Sequence, residues 1–111
     1  MSVTLVNCFE VPVGRENAFF SLWEQVNKYM RSKPGYLGHK LHRSLAPDAR
    51  YRFVNVAQWK SAHDFHAAHD DGFRALVSQP AWSEFPPSPA LYEVVHEATA
   101  GSEPESLALS S

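Results

Sequence analysis

The apolar residues of this chain switch repeatedly between a two-residue spacing and a spacing of three to four residues. Side chains alternate along a strand and recur about every 3.6 residues along a helix, so the two spacings predict strands and helices. The resulting order is β-α-β-β-α-β. The predicted elements are a strand at 3–11, a helix at 16–32, strands at 36–45 and 51–59, a helix at 62–78 and a strand at 90–97.

This element order is that of the ferredoxin-like fold, an α+β architecture. It predicts an antiparallel four-stranded sheet with two helices on one face. The length of 111 residues fits one domain, which we place at 1–97. The connector at 81–89, AWSEFPPSP, holds three prolines and predicts an irregular segment before the last strand. The segment 98–111 has little hydrophobicity, and we predict a disordered tail there.

The sheet face away from the predicted helices is also apolar. Since two helices cover only one face, a second apolar face needs another covering layer. We therefore predict a homodimer that packs sheet against sheet. The apolar residues on that face are Val6, Cys8, Val54, Val56, Tyr92 and Val94.

Charge and cysteine content exclude several classes of function. The net charge of −2 argues against a nucleic-acid binder, and no apolar run reaches the length of a membrane span. The single cysteine, Cys8, excludes an internal disulfide and a cysteine-based metal site within one chain. The first residues lack the pattern of a signal peptide, so we predict a cytoplasmic protein. Nucleotide-binding glycine motifs and a serine nucleophile elbow are absent from the sequence.

Two asparagines occupy strand faces that are otherwise apolar. Asn7 lies in the first strand and Asn55 in the third, and an unpaired buried amide costs about 1–3 kcal/mol. Each amide is therefore either satisfied by neighbouring backbone or exposed to a cavity between sheet and helices. Trp59 ends the third strand and is either a core tryptophan or a flat wall for an aromatic ligand.

The second predicted helix carries His63, His66 and His69. Steps of three residues rotate by about 60° around a helix, so the three rings spread over two faces and do not predict a metal site. His69 falls on the apolar face, where it is either a core histidine bonded to a carbonyl or a base, ligand or hydrogen-bond donor in the cavity. His39 and Arg74 are further candidates, with a solvated arginine as the alternative for Arg74.

Three segments in this order, NCFEVPVG, PGYLGHKLHRS and YRFVNVAQWKSAHDF, resemble the antibiotic-biosynthesis monooxygenase family of dimeric ferredoxin-like proteins. The resemblance spans about 3–97. One branch of the family implies a cofactor-free monooxygenase that oxidises electron-rich phenols to quinones with O2. Asn55 and Trp59 match its motif, Phe65 stands where that branch has a tyrosine, and Arg74 corresponds to its pocket arginine only with a gap.

A second branch implies haem degradation. Its strand asparagine matches Asn7, whereas Ala68 stands in place of its helix tryptophan and its haem-ligating histidine falls near Val77. His69 would then ligate iron from a different position. Haem is therefore the alternative cofactor. The same fold also fits a non-catalytic small-molecule-binding module, or a related cyclase or isomerase.

We therefore predict a small aromatic substrate held between the helices and the face of strands 1 and 3. Asn55 and Asn7 would stabilise the developing oxyanion, and His69 would take the proton of the substrate. The reaction would need no cofactor, with O2 as co-substrate. The predicted catalytic residues are Asn55, Trp59 and His69, and the predicted substrate contacts are Asn7, Phe53, Phe65, Arg74 and His39.

Overall fold

A computed structural model describes residues 1–101 and confirms the α+β architecture. Eight elements follow one another along the chain, with a 3-10 turn before the last strand. They are β1 Val3–Phe9, α1 Glu16–Met30, β2 Tyr36–Arg43, β3 Phe53–Trp59, α2 Ala62–Ala67, α3 Asp71–Val77, the turn Pro80–Glu84 and β4 Pro87–Tyr92.

The strands form one antiparallel sheet in the order β2-β3-β1-β4. The central strands β1 and β3 pair in a register that sets Asn7 directly opposite Asn55 and Phe9 opposite Phe53. Directly opposed residues of an antiparallel pair point to the same face, about 4.5–5.5 Å apart at Cβ. The two asparagines therefore stand side by side on one face of the sheet.

The inner face of the sheet and the helices enclose two apolar clusters. One cluster centres on Phe19 and Phe85 and the other on Trp59, and these three side chains are almost completely buried. On the outer face Val6, Val54 and Val56 are only half-buried. The part of the chain from 1 to 101 places no layer over that face, and the sheet-to-sheet homodimer stays a prediction.

The predicted helix at 62–78 is wrong as a single element, because it is divided into α2 and α3. Asp70 has an extended backbone, with φ −89° and ψ −170°, and its carboxylate accepts a hydrogen bond from the Phe73 amide at 3.0 Å. An aspartate that caps a new helix competes with continuation of the old one. His69 consequently lies at the junction of two short helices.

The predicted last strand at 90–97 is also misplaced. β4 covers Pro87–Tyr92, inside the proline-rich segment that we expected to be irregular. β4 is an edge strand that pairs only with β1, and an edge strand tolerates proline because half of its amides need no ladder partner. The residues at 93–101 form neither helix nor strand, and the remainder of the predicted tail lies outside the described residues. None of the helices described is long and apolar enough to cross a membrane.

Asp70 also ties the helix layer together. Its carboxylate accepts hydrogen bonds from the Tyr29 hydroxyl at 2.6 Å and from the Lys33 ammonium at 2.6 Å. These partners hold the pKa of Asp70 well below its usual value. Gly72 lies so close to the Tyr29 ring that a β-carbon there would overlap the hydroxyl. One carboxylate and one glycine thus fix α3 against the end of α1.

Gly72→Ala tests this close approach. Helix propensity alone favours alanine over glycine by about 1 kcal/mol, whereas overpacking costs about 1–3 kcal/mol. We expect a net loss of up to about 2 kcal/mol in the free energy of unfolding, measured by urea denaturation. Gly38→Ala is the control, because a methyl group there meets nothing within 4 Å. A stabilised Gly72→Ala variant would contradict the packing.

Asp70→Asn tests the charge of the same group. Asparagine keeps the helix cap but loses the ion pair with Lys33. Because the folded state lowers the pKa of Asp70, its carboxylate stabilises the fold fully above the unfolded pKa of about 3.9 and loses this effect as pH falls further. We expect the urea midpoints of wild type and variant to differ most at pH 7 and to converge below about pH 4. Asp71→Asn, a substitution at an exposed neighbouring position, serves as the control. If the difference in urea midpoint between wild type and Asp70→Asn did not change with pH, the stabilising role of the Asp70 charge would be contradicted.

Candidate functional site

A cavity of about 900 Å³ lies between the inner face of the sheet and the helices. This volume is within the range of small-molecule sites, roughly 300–1,000 Å³. Its wall is mainly apolar. Tyr36 and Phe65 meet the Trp59 ring edge-on, with centroids 5.3 and 5.7 Å from it. The aromatic residues on this wall include Trp23, Tyr36, Trp59, Phe65, Phe73 and Trp82.

Asn7 and Asn55 both line this cavity. The Oδ1 atom of each is buried and has no hydrogen-bond partner among residues 1–101. An unpaired buried acceptor costs about 1–3 kcal/mol, so the pair of amides is costly to the fold unless a ligand donates to it. The neighbouring backbone, which the sequence analysis considered as a partner, does not satisfy these two oxygen atoms.

Two indole nitrogens on the cavity wall are unpartnered as well. Trp59 is 1% exposed, and its Nε1 finds no acceptor within the described part of the chain; the same holds for Nε1 of Trp82. Both residues line the cavity. A buried indole normally finds a partner for its N–H. Four residues of the cavity wall therefore each carry a buried polar atom without a partner among residues 1–101, two of them donors and two acceptors.

His69 lies between Phe65 and Phe73, with ring centroids 4.4 Å from each. Its Nδ1 is 2.7 Å from the Phe65 carbonyl oxygen. Because a carbonyl only accepts, Nδ1 carries the proton, and the neutral ring keeps a free lone pair on Nε2. His69 lines the cavity. Nδ1 of His69 thus bonds a backbone carbonyl, which is the structural role considered from the sequence, and Nε2 is available as a base.

A polar cluster lies at the wall formed by α1 and β2. The Tyr36 hydroxyl makes a short hydrogen bond with Nδ1 of His39, and Nδ2 of Asn27 lies 3.5 Å from the same nitrogen. Tyr36 and Asn27 line the cavity, whereas His39 lies behind them and does not. Burial, and to a lesser degree the positive charge of Arg31, lowers the pKa of His39, and burial raises the pKa of Tyr36.

Three of the sequence candidates do not line the cavity: Phe53, Arg74 and His39, which lies behind Tyr36 and Asn27. Phe53 is buried in the core against Phe19, with ring centroids 4.8 Å apart, and does not line the cavity. Arg74 is exposed and pairs with Asp71 at 2.7 Å, because α3 begins anew at Asp71 and turns this position outward. The structure brings together Asn7, Asn55, Trp59, Phe65 and His69.

The cavity wall carries no fixed charge. Within residues 1–101 no aspartate, glutamate, lysine or arginine lines it, and its only titratable side chains are Tyr36, His66 and His69. No cluster of three or more histidine, cysteine, aspartate or glutamate side chains in that same range is placed to hold a metal ion. The cavity therefore suits an uncharged ligand with hydrogen-bonding groups.

The antibiotic biosynthesis monooxygenase family model matches residues 2–79. The chain belongs to this family. The match covers strands β1 to β3 and helices α1 to α3, and it confirms the resemblance seen in the sequence. No curated protein sequence matches this chain.

Solved structures share the fold. A proposed monooxygenase from Shewanella loihica PV-4 is 35% identical, with a TM-score of 0.76 over 86% of this chain and 96% of that one. SnoaB, a cofactor-independent oxygenase from Streptomyces nogalater, is 24% identical, with a TM-score of 0.72 over 91% and 98%. A MhuD variant with two manganese protoporphyrin IX molecules bound per active site is 24% identical, with a TM-score of 0.68 over 88% and 99%.

Sequence reasoning missed several polar residues of this cavity, among them Asn27, Tyr36 and Trp82. Asn27 lies on the buried stripe of α1, where an amide among Trp23, Val26 and Met30 was a visible anomaly. Tyr36 begins β2, and no sequence signal links it to His39. Trp82 lies in the 3-10 turn, and only the return of β4 to the sheet brings that turn to the cavity.

The variant Asn55→Leu tests whether the side-chain amide of Asn55 lacks a hydrogen-bond partner in the folded protein. We expect a free energy of unfolding that is unchanged or up to about 1 kcal/mol higher, since the variant removes an unpaired acceptor. Asn27→Leu is the matched contrast, because Asn27 is as buried as Asn55, at 8% and 7% exposed, but has a partner. We expect it to cost about 1–3 kcal/mol. Equal losses in urea denaturation of the two variants would contradict the difference.

Proposed function

We propose that this protein is a cofactor-independent monooxygenase that oxidises an uncharged, electron-rich phenolic substrate to a quinone, with O2 as co-substrate. The observation that carries the proposal is the set of unpartnered polar atoms on an aromatic, charge-free cavity. Asn7 and Asn55 offer acceptors, and Trp59 and Trp82 offer donors. A planar molecule with hydroxyl and carbonyl groups supplies a partner for each kind of atom.

The substrate is positioned against the aromatic wall that Tyr36 and Phe65 form with the buried Trp59. Its hydroxyl groups donate to Oδ1 of Asn7 or Asn55, and its carbonyl groups accept from the indole N–H groups. These interactions replace the missing partners of buried atoms, so they favour the bound state more than the same bonds would in water. The apolar wall excludes water from the reacting ring.

Proton removal starts the chemistry. His69 Nε2 takes the phenol proton, and the resulting phenolate spreads its charge onto the ring carbon para to the oxygen. The free N–H of Trp59 or Trp82 stabilises the oxyanion, and a good donor of this kind contributes about 3–4 kcal/mol in other enzymes. A rotated Asn55 amide presents Nδ2 to the same oxygen. The substrate, rather than a cofactor, then supplies the electrons.

O2 is the oxidant. It takes one electron from the phenolate, and the superoxide and phenoxyl radical combine to form a C–O bond at the para carbon. The peroxide takes the proton held by His69. A second proton then leaves the same carbon, the O–O bond breaks, a carbonyl forms and hydroxide leaves as water after protonation. One phenol O–H and one C–H are replaced by two ring carbonyls, and O2 becomes one carbonyl oxygen and one water.

Two observations favour the cofactor-free reaction over haem, the alternative cofactor, for which His69 on the cavity wall would be the iron ligand. The two propionates of haem need cationic partners where they meet a cavity wall, and the described residues bring no lysine or arginine to that wall. Val77, where the resemblance would require the ligating histidine, lines the cavity with an aliphatic side chain. No step of the proposed reaction therefore runs through haem.

The first test is oxygen consumption by the purified, metal-free protein with a panel of anthrones and hydroquinones. With the anthrones we expect uptake of one O2 per quinone formed, without added cofactor and without release of H2O2, because the second oxygen atom leaves as water. A parallel titration with haem, followed by absorbance, serves as the control. A shifted Soret band with reductant-dependent haem loss would overturn the proposal in favour of haem degradation, and tight binding of the anthrones without O2 uptake would favour a binding module.

His69→Asn tests the base. Asparagine still donates to the Phe65 carbonyl from the position of Nδ1, but it lacks the lone pair of Nε2. We expect kcat to fall by about 10²- to 10⁴-fold, the usual contribution of a general base. His63→Asn, an exposed position of α2 away from the cavity wall, is expected to keep full activity. Unchanged kcat in His69→Asn would show that another group takes the proton.

A further inference from the structure

Besides His69, the hydrogen-bond cluster of Tyr36, His39 and Asn27 forms a second site in the cavity wall that can take up the proton of a bound phenol. We propose that Tyr36 and His39 act as a relay in which the Tyr36 oxygen accepts a proton from the substrate while its own proton passes to Nδ1 of His39. This inference rests on the proposed function for the reaction that it serves. His69 reaches the cavity from the α2–α3 junction, and the relay reaches it from β2.

The hydrogen bonds of this cluster have a defined direction. Asn27 presents Nδ2, which only donates, within 3.5 Å of Nδ1 of His39. With Nδ2 as the donor, the relay takes Nδ1 of His39 as the acceptor and places the ring proton on Nε2. The Tyr36 hydroxyl must then donate to Nδ1 as well. The Tyr36 oxygen accepts from the Asn27 amide, which offsets part of the rise that burial causes in the pKa of Tyr36, and its second lone pair is left to accept from a substrate.

The placement of the three residues supports a relay rather than a purely structural cluster. Tyr36 and Asn27 line the cavity, and His39 lies one side chain behind them. His39 is therefore linked to the cavity through Tyr36 and Asn27, and it acts as a positioning and proton-holding residue. Tyr36 also packs edge-on against Trp59, with ring centroids 5.3 Å apart, so its hydroxyl belongs to the wall that holds the substrate.

The charges around His39 favour its neutral form before the reaction. It packs against Trp23 of α1, with ring centroids 5.3 Å apart, and Arg31 at the end of α1 adds positive charge nearby. Burial and this charge both lower the pKa of His39. Tyr36 is the titratable group to which its ring is hydrogen-bonded. A neutral imidazole has the lone pair needed to accept the hydroxyl proton, and the lowered pKa of His39 makes that proton readily released again.

The test uses 4-nitrophenol, whose yellow phenolate reports the ionisation of a phenol bound to the full-length protein. We expect the bound phenol to ionise in wild type at a pH about one unit or more below that in Tyr36→Phe or His39→Asn, because protonated His39 stabilises the phenolate. Asparagine at 39 keeps an acceptor for the Tyr36 hydroxyl but cannot hold a proton. His42→Asn, on the opposite face of β2, is the control and is expected to match wild type.

The outcomes separate this inference from the proposed function. Equal ionisation in wild type, Tyr36→Phe and His39→Asn overturns the relay, whatever the oxygen consumption shows. A shift in Tyr36→Phe alone would also overturn it, since Tyr36 would then act only as a hydrogen-bond donor. A shift in both variants without O2 uptake by wild type would retain the relay and reject the monooxygenase.

A second measurement does not depend on ligand binding. Nitrogen-15 NMR of the histidine rings in the full-length protein is expected to show His39 with the proton on Nε2 and an unprotonated Nδ1 near pH 7. Tyr36→Phe is expected to move the Nδ1 resonance of His39 and to leave that of His42 in place. A proton on Nδ1 of His39 in the wild-type protein would overturn the relay.

Discussion

The carboxylate of Asp70 is the contact on which the helical layer depends. It ends one helix and begins another by capping α3, and it binds the Tyr29 hydroxyl and the Lys33 ammonium from the end of α1. The resulting break turns Arg74 outward and leaves His69 at the junction, facing the sheet. A continuous helix over the same residues would place these side chains differently, and the wall of the cavity would change with them.

The cavity combines features that folding alone disfavours. Four buried polar atoms on its walls lack partners in the described chain, and an unpaired buried group costs about 1–3 kcal/mol. Asn27, by contrast, lines the same cavity with a hydrogen-bond partner in place. Unsatisfied groups concentrated around one aromatic cavity are what a binding site requires and what a core avoids. The family to which the chain belongs is consistent with a site of this kind.

Much of the site could be anticipated because strand alternation is a local property. The two-residue period put Asn7 and Asn55 on one face, and the antiparallel register set them opposite one another. Two features were beyond such reasoning. The sequence alone predicts that Asp70 lies within a continuous helix, because it does not show the tertiary partners Tyr29 and Lys33. Pro87 and Pro89 argue against a strand unless that strand is known to be at the edge of the sheet.

Periodicity and local motifs were enough to predict the order of strands and helices, the α+β architecture, the family and the polar residues of the central strands. Three-dimensional packing was needed to establish which side chains meet. It brought Tyr36 to His39 and Asn27, carried Trp82 to the cavity and removed Phe53 and Arg74 from it. Hydrogen bonds and packing between elements depend on the relative placement of those elements, and a one-dimensional pattern does not contain that placement.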